Sequence, residues 1–362
     1  MFWLMEHKDN LFTYLKWRGD LTIQQDPLNE IDGLMFSELS YLRLDRIVPA
    51  VGEEGMISIK EANRLYKKTN QKLMYYAQKE AMFDAMAESK RYGEMTLCHY
   101  VSTTDTKTQQ QFAAMHINIA PGQTFIVFRG TDSTVVGWRE DCNMSYMMPV
   151  PAQQSAVDYV ERTVKGLFKK YYLGGHSKGG NLAIYSAVFS NPKFQRKIAG
   201  VYSYDGPGFN RTMVNDAAYI AIKDRIHAFV PEESVVGLLM EHEEDYFVVQ
   251  SNQMGLLQHE GLFWKISGNQ FELADQLHPM SQEISDGIRS FLGKVSEEEK
   301  KVLVDSFFSV FEKAGVDDFR DLLDIDAKMA AALLKAVASV PKETRELIGK
   351  LIKLLVEEKV RK

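Results

Sequence analysis

The sequence predicts an α/β protein with a mostly parallel sheet flanked by helices, followed by an all-helical C-terminal appendage. Short apolar runs alternate with amphipathic helical runs between about residues 97 and 266. The loops after the apolar runs are rich in polar residues and glycine, which is typical of a parallel sheet that carries a site at its strand ends. From about Val295 onward the strand-like runs cease. We therefore predict two domains, 1–294 and 295–362.

Length and composition exclude several classes of protein. The 362 residues are 45% hydrophobic, so the chain can bury a large core. The formal net charge is −6 at pH 7 with acids and bases interspersed, which does not favour a nucleic-acid partner. The first residues lack a signal-peptide pattern, and no uncharged run approaches the roughly 18 residues of a membrane-spanning helix. We expect a soluble, cytoplasmic protein in which Cys98 and Cys142 are free thiols.

Helices are predicted before and among the strands. Asn29 precedes an apolar pattern of helical period, and a capping box at Ser58 opens a long helix or helix pair that ends near Tyr92. A further amphipathic helix is predicted over 155–168.

Strands are predicted where apolar residues alternate with polar ones or run without interruption. The single strands are expected at 97–101, 112–119, 124–128, 171–173, 200–204 and 226–230. A hairpin-like pair, 246–250 with 262–266, follows and brackets the loop 251–261.

The C-terminal appendage has its own helix signals. A capping box at Ser296 opens it, and Gly315 and Pro341 separate three amphipathic stretches. The apolar faces of these stretches are expected to form core rather than a binding groove. The sequence does not identify a protein partner for the appendage.

A candidate catalytic serine lies at the centre of the predicted sheet. Gly175, Ser177 and Gly179 form the pattern Gly-x-Ser-x-Gly between a strand-like run and a helix-like run. A serine on such a tight strand–turn–helix junction is typical of a nucleophile elbow, and the glycines are needed because the turn is crowded. The helix that starts beside the serine favours negative charge next to the hydroxyl.

A serine nucleophile needs a base and an acid that orients the base. Among the histidines late in the chain, His259 lies in a loop between two predicted strands and is the preferred base. His278, at a helix end, is the alternative, because His242 lies in a solvated acidic run. Glu233, just after the strand 226–230, is the preferred acid, and Asp205, at the end of the strand 200–204, is the alternative.

The oxyanion of an acyl-transfer reaction needs two amide donors. The amide of Lys178, directly after the serine, is one candidate. The amide of Thr131, which follows the most apolar strand of the chain, is the other.

These motifs resemble those of a known family. Arg-Gly-Thr at 129–131, followed by Trp138 and Asp141, and Gly-His-Ser-x-Gly-Gly at 175–180 are similar to the fungal-type class 3 lipases of the α/β-hydrolase fold. The resemblance to the bacterial Mbeg1-like family, a lipase-like group, is closer. It rests on Tyr-Leu-Lys-Trp-Arg-Gly-Asp at 14–20, Gly-His-Ser-Lys-Gly-Gly-Asn at 175–181, Asp-Gly-Pro-Gly-Phe at 205–209, Pro-Glu-Glu-Ser at 231–234 and Leu-Gln-His at 257–259.

The resemblance implies an α/β-hydrolase fold with Ser177, Glu233 and His259 as a catalytic triad. It also implies an oxyanion hole formed by Thr131 and Lys178. The chain departs from the secreted lipases at Lys178, where they carry an apolar residue, at Glu233, where they usually carry aspartate, and in the helical tail. The resemblance therefore supports the fold and the catalytic residues more strongly than it supports fat as the substrate.

We accordingly predict a serine hydrolase that cleaves a small-molecule carboxylic ester, lipid esters and thioesters included. Apolar, methionine-containing loops at 144–150, 235–240 and 254–257 would suit an apolar acyl group. The Lys178 side chain is expected to point into the fold and to form an internal salt bridge. We predict neither a metal nor an organic cofactor, and no phosphate-binding glycine motif favours a nucleotide. The alternative is a catalytically idle hydrolase fold that serves as an interaction or regulatory module, with the helical tail as its docking element.

Overall fold

The predicted apolar runs form the strands of one sheet. A computed structural model describes residues 10–69, 77–166, 169–319 and 327–339, together with Lys342 and Arg345. In these residues eight strands, β1 to β8, neighbour one another in chain order, and two further strands form a separate pair. The strands are β1 Ile57–Ser58, β2 Thr96–Asp105, β3 Gln110–Ala120, β4 Gln123–Phe128, β5 Lys170–His176, β6 Ile198–Tyr204, β7 Ile226–Pro231, β8 Tyr246–Val249, β9 Ile266–Ser267 and β10 Gln270–Phe271.

The second half of the sheet is parallel. β4 to β8 pair in parallel with their neighbours, whereas β3 pairs antiparallel with β4 and β1 antiparallel with β2. Gly175 of β5 lies opposite Phe128 of β4, and His176 lies opposite Tyr204 of β6. Because parallel strands end at the same edge, the loops after β4, β5, β6 and β7 share one edge of the sheet.

Helices connect most of the strands. They are α1 Leu11–Arg18, α2 Glu30–Leu39, α3 Ile59–Tyr66, α4 Ala77–Glu88, α5 Val135–Asn143, α6 Pro151–Thr163, α7 Lys178–Phe189, α8 Pro192–Gln195, α9 Arg211–Val214, α10 Ala217–Lys223, α11 Pro279–Lys294, α12 Glu297–Ala314 and α13 Ala327–Ala338. Short 3₁₀ turns span Lys67–Thr69, Val236–Leu238, Gly255–His259 and Gly261–Phe263.

The predicted helix starts agree with the caps in the structure. The Asn29 side chain accepts from the amides of Ile31 and Asp32, and the Ser58 hydroxyl accepts from the Glu61 amide. Ser296 begins α12 with a full capping box. The helix predicted over 155–168 begins earlier, at Pro151, and ends at Thr163. The third helical stretch predicted for the tail, beyond Pro341, lies almost entirely outside the described residues.

The hairpin predicted from 246–250 and 262–266 is present only in part, as an antiparallel bridge between Ser251 and Trp264. Tyr246–Val249 joins the large sheet in parallel with β7, and Ile266–Ser267 pairs with Gln270–Phe271. A backbone bond from the Lys265 amide to the Gln250 carbonyl is part of the contact between the two segments. Apolar alternation identified the first segment as a strand, whereas the second begins in the 3₁₀ turn Gly261–Phe263 and only Ile266 lies in a strand. The pattern carries no information about the partner of a strand.

The chain forms two compact units. The first comprises Met1–Thr103, Phe112–Gly130 and Pro151–Arg289, and the second comprises Thr104–Gln111, Thr131–Val150 and Ser290–Lys362. The helical tail thus belongs to the same unit as α5. The division into 1–294 and 295–362 stays a prediction of the sequence.

The first unit has the large core. Its buried side chains come from α1, α2 and α4 on one face of the sheet, where Phe36 packs on Phe125 with 5.1 Å between ring centroids. α7 packs on β5 and β6 and against α6. Since α7 starts where β5 ends, this packing fixes the elbow between them.

The second unit has a small core of its own. Val135 of α5 is buried with Phe308 and Val316 of the tail. Arg139 forms ion pairs with Asp305, at 2.6 Å, and with Glu312. No helix among the described residues is both long and apolar enough to cross a membrane.

Candidate active site

The serine of the Gly-x-Ser-x-Gly motif lies in the turn between β5 and α7. β5 ends at His176 and α7 begins at Lys178, so Ser177 is the single residue between strand and helix. Its φ of 57° and ψ of −133° lie outside the regions that a residue with a Cβ normally adopts. The Ser177 amide donates to the Tyr204 carbonyl at 2.8 Å, which fixes the strained turn against the end of β6. This is the geometry of a nucleophile elbow.

The two motif glycines are required because backbones approach each other closely there. A Cβ on Gly175 would lie 2.3 Å from the Gly179 carbonyl carbon, and a Cβ on Gly179 would lie 2.2 Å from the Phe128 carbonyl oxygen. Real Cβ atoms do not tolerate either distance, so β4, β5 and α7 meet at this point only if both positions are glycine. The predicted reason for the glycines, crowding at the turn, is confirmed.

Asp205 and His259 form a hydrogen-bonded pair. Asp205 is the first residue after β6, and its Oδ2 lies 2.5 Å from Nδ1 of His259. Its other oxygen, Oδ1, accepts from the Ser234 hydroxyl at 2.5 Å and from the Gly237 amide at 3.0 Å. The Asp205 side chain is 1% exposed. A buried carboxylate with a donor on each oxygen is held in one orientation.

The pair sets the protonation of the imidazole. Burial lowers the pKa of His259, but the hydrogen bond and charge of Asp205, with the charges of Glu260 and Glu38, outweigh it and raise the pKa above its ordinary value. With Nδ1–H donating to Asp205, the unprotonated Nε2 is the basic nitrogen. The arrangement therefore suits a general base that is stabilised when it takes up a proton.

The histidine inside the elbow motif holds the His259 backbone. Nε2 of His176 lies 2.6 Å from the His259 carbonyl oxygen, and Nδ1 lies 2.8 Å from the Tyr41 hydroxyl. A carbonyl can only accept, so Nε2 carries the proton and the Tyr41 hydroxyl donates to Nδ1. Burial, followed by the charge of His259, lowers the pKa of His176 to about 3. His176 is therefore neutral and positions His259 without competing for the proton.

Glu233, the preferred acid, does not contact His259 through its carboxylate. That carboxylate accepts from the Gly255 amide, and the Glu233 amide donates to Gln258 Oε1 at 2.9 Å. The carboxylate that is hydrogen-bonded to His259 in the structure is therefore that of Asp205, the alternative acid. The physical reason is position: Asp205 directly follows β6 and its carboxylate reaches His259, whereas Glu233 lies two residues beyond β7 and reaches the start of the 3₁₀ turn Gly255–His259.

A buried charge cluster lies next to the histidine. Lys79 of α4 forms ion pairs with Glu38 of α2 and with Glu260, the neighbour of His259. Burial raises the pKa of Glu260, but the charge of Lys79 outweighs it and the pKa is lowered. Burial also raises the pKa of Glu38, and there the lysine only partly offsets it. The N-terminal helices therefore reach the His259 segment through charges that are largely shielded from water.

The three proposed catalytic side chains lie at one edge of the sheet. Ser177 and Asp205 follow His176 and Tyr204, which are paired in the sheet. The His259 ring contacts the His176 ring with 4.5 Å between centroids. Among the described residues, the side-chain hydrogen bond of His259 goes to Asp205, and none goes to the Ser177 hydroxyl. Hydrogen bonds between a nucleophile and its base are often long without substrate and shorten when it binds.

The two predicted oxyanion residues lie in different units. The Lys178 amide belongs to the first turn of α7, and its side chain is 1% exposed, so it points into the fold as predicted. Thr131 belongs to the second unit, where its hydroxyl donates to Asp141 at 2.5 Å. Gly130, which precedes it, has room only for a hydrogen because a Cβ would lie 2.5 Å from the His176 carbonyl oxygen.

The alternative base, His278, is exposed just before α11. Its Nδ1 accepts from the Met280 amide at 3.3 Å, and its backbone amide donates to the Glu232 carbonyl at 2.8 Å. The first contact belongs to the start of α11, and the second joins this segment to the loop after β7. In the described part of the chain, His278 therefore makes structural contacts only, and the histidine that is hydrogen-bonded to Asp205 is His259.

Sequence reasoning missed the residues that hold the site. Tyr41, Ser234 and Lys79 act through contacts between distant parts of the chain, for which the sequence carries no spacing signal. Asn181 of the elbow motif does carry a signal. Its side chain donates to the Pro207 carbonyl at 3.0 Å and the Gly208 carbonyl at 2.9 Å, so it joins α7 to the turn that follows Asp205.

Comparison with known proteins bears on the family. A family model described as Mbeg1-like matches residues 86–309, more than half of the chain. The chain belongs to the Mbeg1-like family. The predicted resemblance is confirmed, although Ser58, Lys79 and the other residues before position 86 lie outside the match. A search of the curated proteins gave no match.

Several solved structures are similar to this Mbeg1-like chain. The M37 lipase is 15% identical, with 58% of this chain and 70% of that chain covered and a TM-score of 0.37. A fungal lipase in complex with an inhibitor is 15% identical, with 64% and 91% covered and a TM-score of 0.35. The Rhizomucor miehei lipase in its native propeptide complex is 16% identical, with 74% and 91% covered and a TM-score of 0.36.

The sheet order and the elbow define the fold of this Mbeg1-like protein. The parallel strands β4 to β8, helices on both faces and a serine between β5 and α7 make a lipase-like α/β-hydrolase fold with a helical C-terminal region. The predicted fold class is confirmed.

Proposed function

We propose that this protein is a serine hydrolase that cleaves carboxylic esters through an acyl-enzyme on Ser177. The observation that carries the proposal is the strained elbow at Ser177 beside the buried Asp205–His259 pair. A serine is a weak nucleophile by itself and becomes reactive when a positioned imidazole takes its proton. In this site Asp205, rather than Glu233, would be the orienting acid.

The reaction would proceed in two halves. His259 Nε2 takes the proton of Ser177 Oγ as the oxygen attacks the ester carbonyl carbon, and the carbonyl oxygen becomes an oxyanion. The intermediate collapses, the alcohol or thiol leaves with the proton from His259, and the acyl group stays on Ser177. Water then attacks the acyl-enzyme by the same sequence and releases the acid. Asp205 stays hydrogen-bonded to His259 Nδ1 and stabilises the imidazolium.

The developing oxyanion would be stabilised by backbone amides. The Lys178 amide is at the start of α7, where helix amides without an internal acceptor point towards the turn. The second donor proposed from the sequence is the Thr131 amide. Removal of one such donor typically costs about 10²–10³-fold in kcat.

The acyl group is proposed to be apolar. Met254 and Leu256, which precede His259, are 76% and 40% exposed. Large apolar side chains at the surface beside a catalytic base favour an apolar substrate group. The substrate class is therefore an ester of an apolar acyl group, with lipid esters and thioesters included.

A fluorophosphonate probe tests the proposal, because it labels only an activated serine. We expect labelling of the wild type, no labelling of Ser177→Ala, and normal labelling of Ser186→Ala, which changes a buried serine of α7, the helix that follows Ser177. Circular dichroism would show that each variant is folded. A folded wild type that takes up no probe would contradict the enzyme and support the interaction module with an idle hydrolase fold.

Substrate class needs a second measurement. Hydrolysis of p-nitrophenyl esters and of matched thioesters of graded chain length gives kcat/KM against acyl length. We expect kcat/KM to rise with acyl length by about 15-fold per two methylenes, because each buried methylene contributes about 0.8 kcal/mol. A flat profile would contradict the apolar acyl site and leave the serine chemistry untouched.

A further inference from the structure

A second cluster of reactive side chains lies on β2 and β3, separate in residues from the proposed active site. Cys98, His99 and His116 each offer one ligand atom, and these atoms lie within 4.8 Å of one another. The three residues line a cavity of about 290 Å³ in the first unit. Cys98 and His99 are adjacent, and His116 follows His99 by 17 residues. This spacing does not by itself predict a metal site.

The backbone at His99 brings the adjacent pair together. Consecutive side chains of a regular strand point to opposite faces, which would separate the Cys98 thiol from the His99 ring. His99 has a φ of +55°, in the left-handed region that residues with a Cβ rarely adopt. This break in β2 accounts for the thiol and the imidazole lying in one cluster. A residue with a Cβ in this backbone conformation costs free energy, and such residues occur mainly at functional sites.

The hydrogen bonds of His116 leave one nitrogen to act as a ligand. Nε2 of His116 lies 3.0 Å from Thr163 Oγ1, and the same hydroxyl donates to the Tyr159 carbonyl at 2.7 Å. Because the hydroxyl proton is used there, Oγ1 accepts from His116 Nε2–H, and Nδ1 carries the lone pair. Histidines that bind metals typically donate their other ring N–H to an oxygen that fixes the tautomer in this way.

His99 supplies the second observation that points to a ligand. Its Nδ1 is buried and makes no hydrogen bond to any described residue. Buried polar atoms in folded proteins nearly always have a partner, so an unpaired ring nitrogen beside a thiol and a second imidazole needs an explanation. The His99 and His116 rings also meet edge to face, with 5.0 Å between centroids.

We propose that Cys98, His99 and His116 bind a Zn²⁺ ion, with the fourth coordination position facing the cavity. One sulfur and two imidazole ligands suit zinc and exclude calcium and magnesium, which require oxygen ligands. Three protein ligands with an open fourth position are the arrangement of zinc sites that bind water or a small ligand. Glu53 and Glu54 line the same cavity and can supply a carboxylate.

Two lysines weigh against a cation. Lys165 and Lys169 also line the cavity, and their charges oppose a dication. Glu53 and Glu54 offset them, and binding deprotonates the thiol, so the net charge of the ligand set falls by one. The two lysines would also attract an anionic group to the open position.

Metal titration tests the site in the full-length protein. Metal-free wild type is titrated with Zn²⁺ against a chelator of known affinity, and with Co²⁺ in an absorption spectrometer. We expect one tight site per chain and a thiolate-to-cobalt charge-transfer band. Cys98→Ser should abolish the band and weaken Zn²⁺ binding by more than about 100-fold, whereas Cys142→Ser and His227→Ala should change neither.

A second variant separates ligand loss from misfolding. Thr163→Val keeps the shape of the side chain and removes the acceptor of His116, and it should weaken Zn²⁺ binding about 10–100-fold. The absence of a one-to-one site in the wild type would overturn the proposal. So would a Cys98→Ser protein that binds as tightly as the wild type, or, if that variant does not fold, a folded Thr163→Val protein with unchanged affinity.

Discussion

Asp205 follows β6 and Glu233 lies in the loop after β7, and these two acids differ in what they contact. Asp205 is 1% exposed, receives donors on both carboxylate oxygens and faces His259 at the end of the 3₁₀ turn Gly255–His259. Glu233 is half-buried and accepts from the Gly255 amide at the start of the same turn. One acid therefore contacts the proposed base, and the other fixes the segment that carries it. Both acids follow a parallel strand, so this position alone does not determine which acid contacts the histidine.

The largest effect is expected at Asp205. Asp205→Asn keeps the size of the side chain but presents an amide that can hold His259 in the wrong tautomer, and kcat should fall by about 10⁴-fold. Steady-state ester hydrolysis measures the loss, and unchanged circular dichroism would show that the fold is intact. A loss of tenfold or less would contradict the role assigned to Asp205.

The buried charges beside the base give the next largest effect. Lys79→Met leaves the Glu38 carboxylate, which is 0% exposed, without its cation, and the free energy of unfolding should fall by about 3–5 kcal/mol. Lys67→Met is the matched control, because Lys67 and its partner Asp84 are 54% and 44% exposed and such pairs contribute at most about 1 kcal/mol. Urea unfolding measures both. Equal losses would show that the buried cluster does not stabilise the His259 segment.

Much of the fold could be predicted because its signals are local. The runs at 124–128, 200–204 and 226–230 lie within β4, β6 and β7, and the caps at Ser58 and Ser296 begin helices as predicted. The predicted hairpin is present only in part, because the partner of a strand depends on the rest of the sheet and alternation does not encode it.

The candidate site was predictable to the same extent. The elbow follows from a five-residue pattern, and both acids and the histidine follow from their places after strands. Which acid contacts His259 depends on how closely loops that are far apart in sequence approach each other in the fold. The cluster at Cys98 was not predictable, because it depends on a left-handed backbone at His99 that no neighbouring residue requires.

The pH dependence of the reaction sharpens the contrast between the two acids. Asp205 helps to raise the pKa of His259 above its ordinary value, so the neutral base is lost as pH falls through that raised value. kcat/KM should fall about tenfold for each pH unit below it. The stability contribution has the opposite sign: it is present below the unfolded-state pKa and lost as pH rises through the folded-state pKa.

Titration of the His259 ring by NMR distinguishes the two loops directly. In Asp205→Asn the pKa should fall, because burial still lowers it and the main opposing charge is gone. In Glu233→Gln it should stay near the wild-type value. An unchanged pKa in Asp205→Asn would show that the carboxylate does not set the protonation of the base.

The smallest effect is expected at Glu233. Glu233→Gln retains a carbonyl oxygen for the Gly255 amide, so kcat/KM should remain within about threefold of the wild type. Glu233→Ala removes that acceptor, and the freed end of the turn should lower kcat/KM by no more than about tenfold and the free energy of unfolding by about 1 kcal/mol. The same ester assay and urea unfolding measure both variants. If Glu233→Gln instead lost about 10³-fold or more while Asp205→Asn stayed active, Glu233 would be the catalytic acid. The 3₁₀ turn would then have to rearrange when substrate binds, because in the present geometry the Glu233 carboxylate holds Gly255 and the base is held by Asp205.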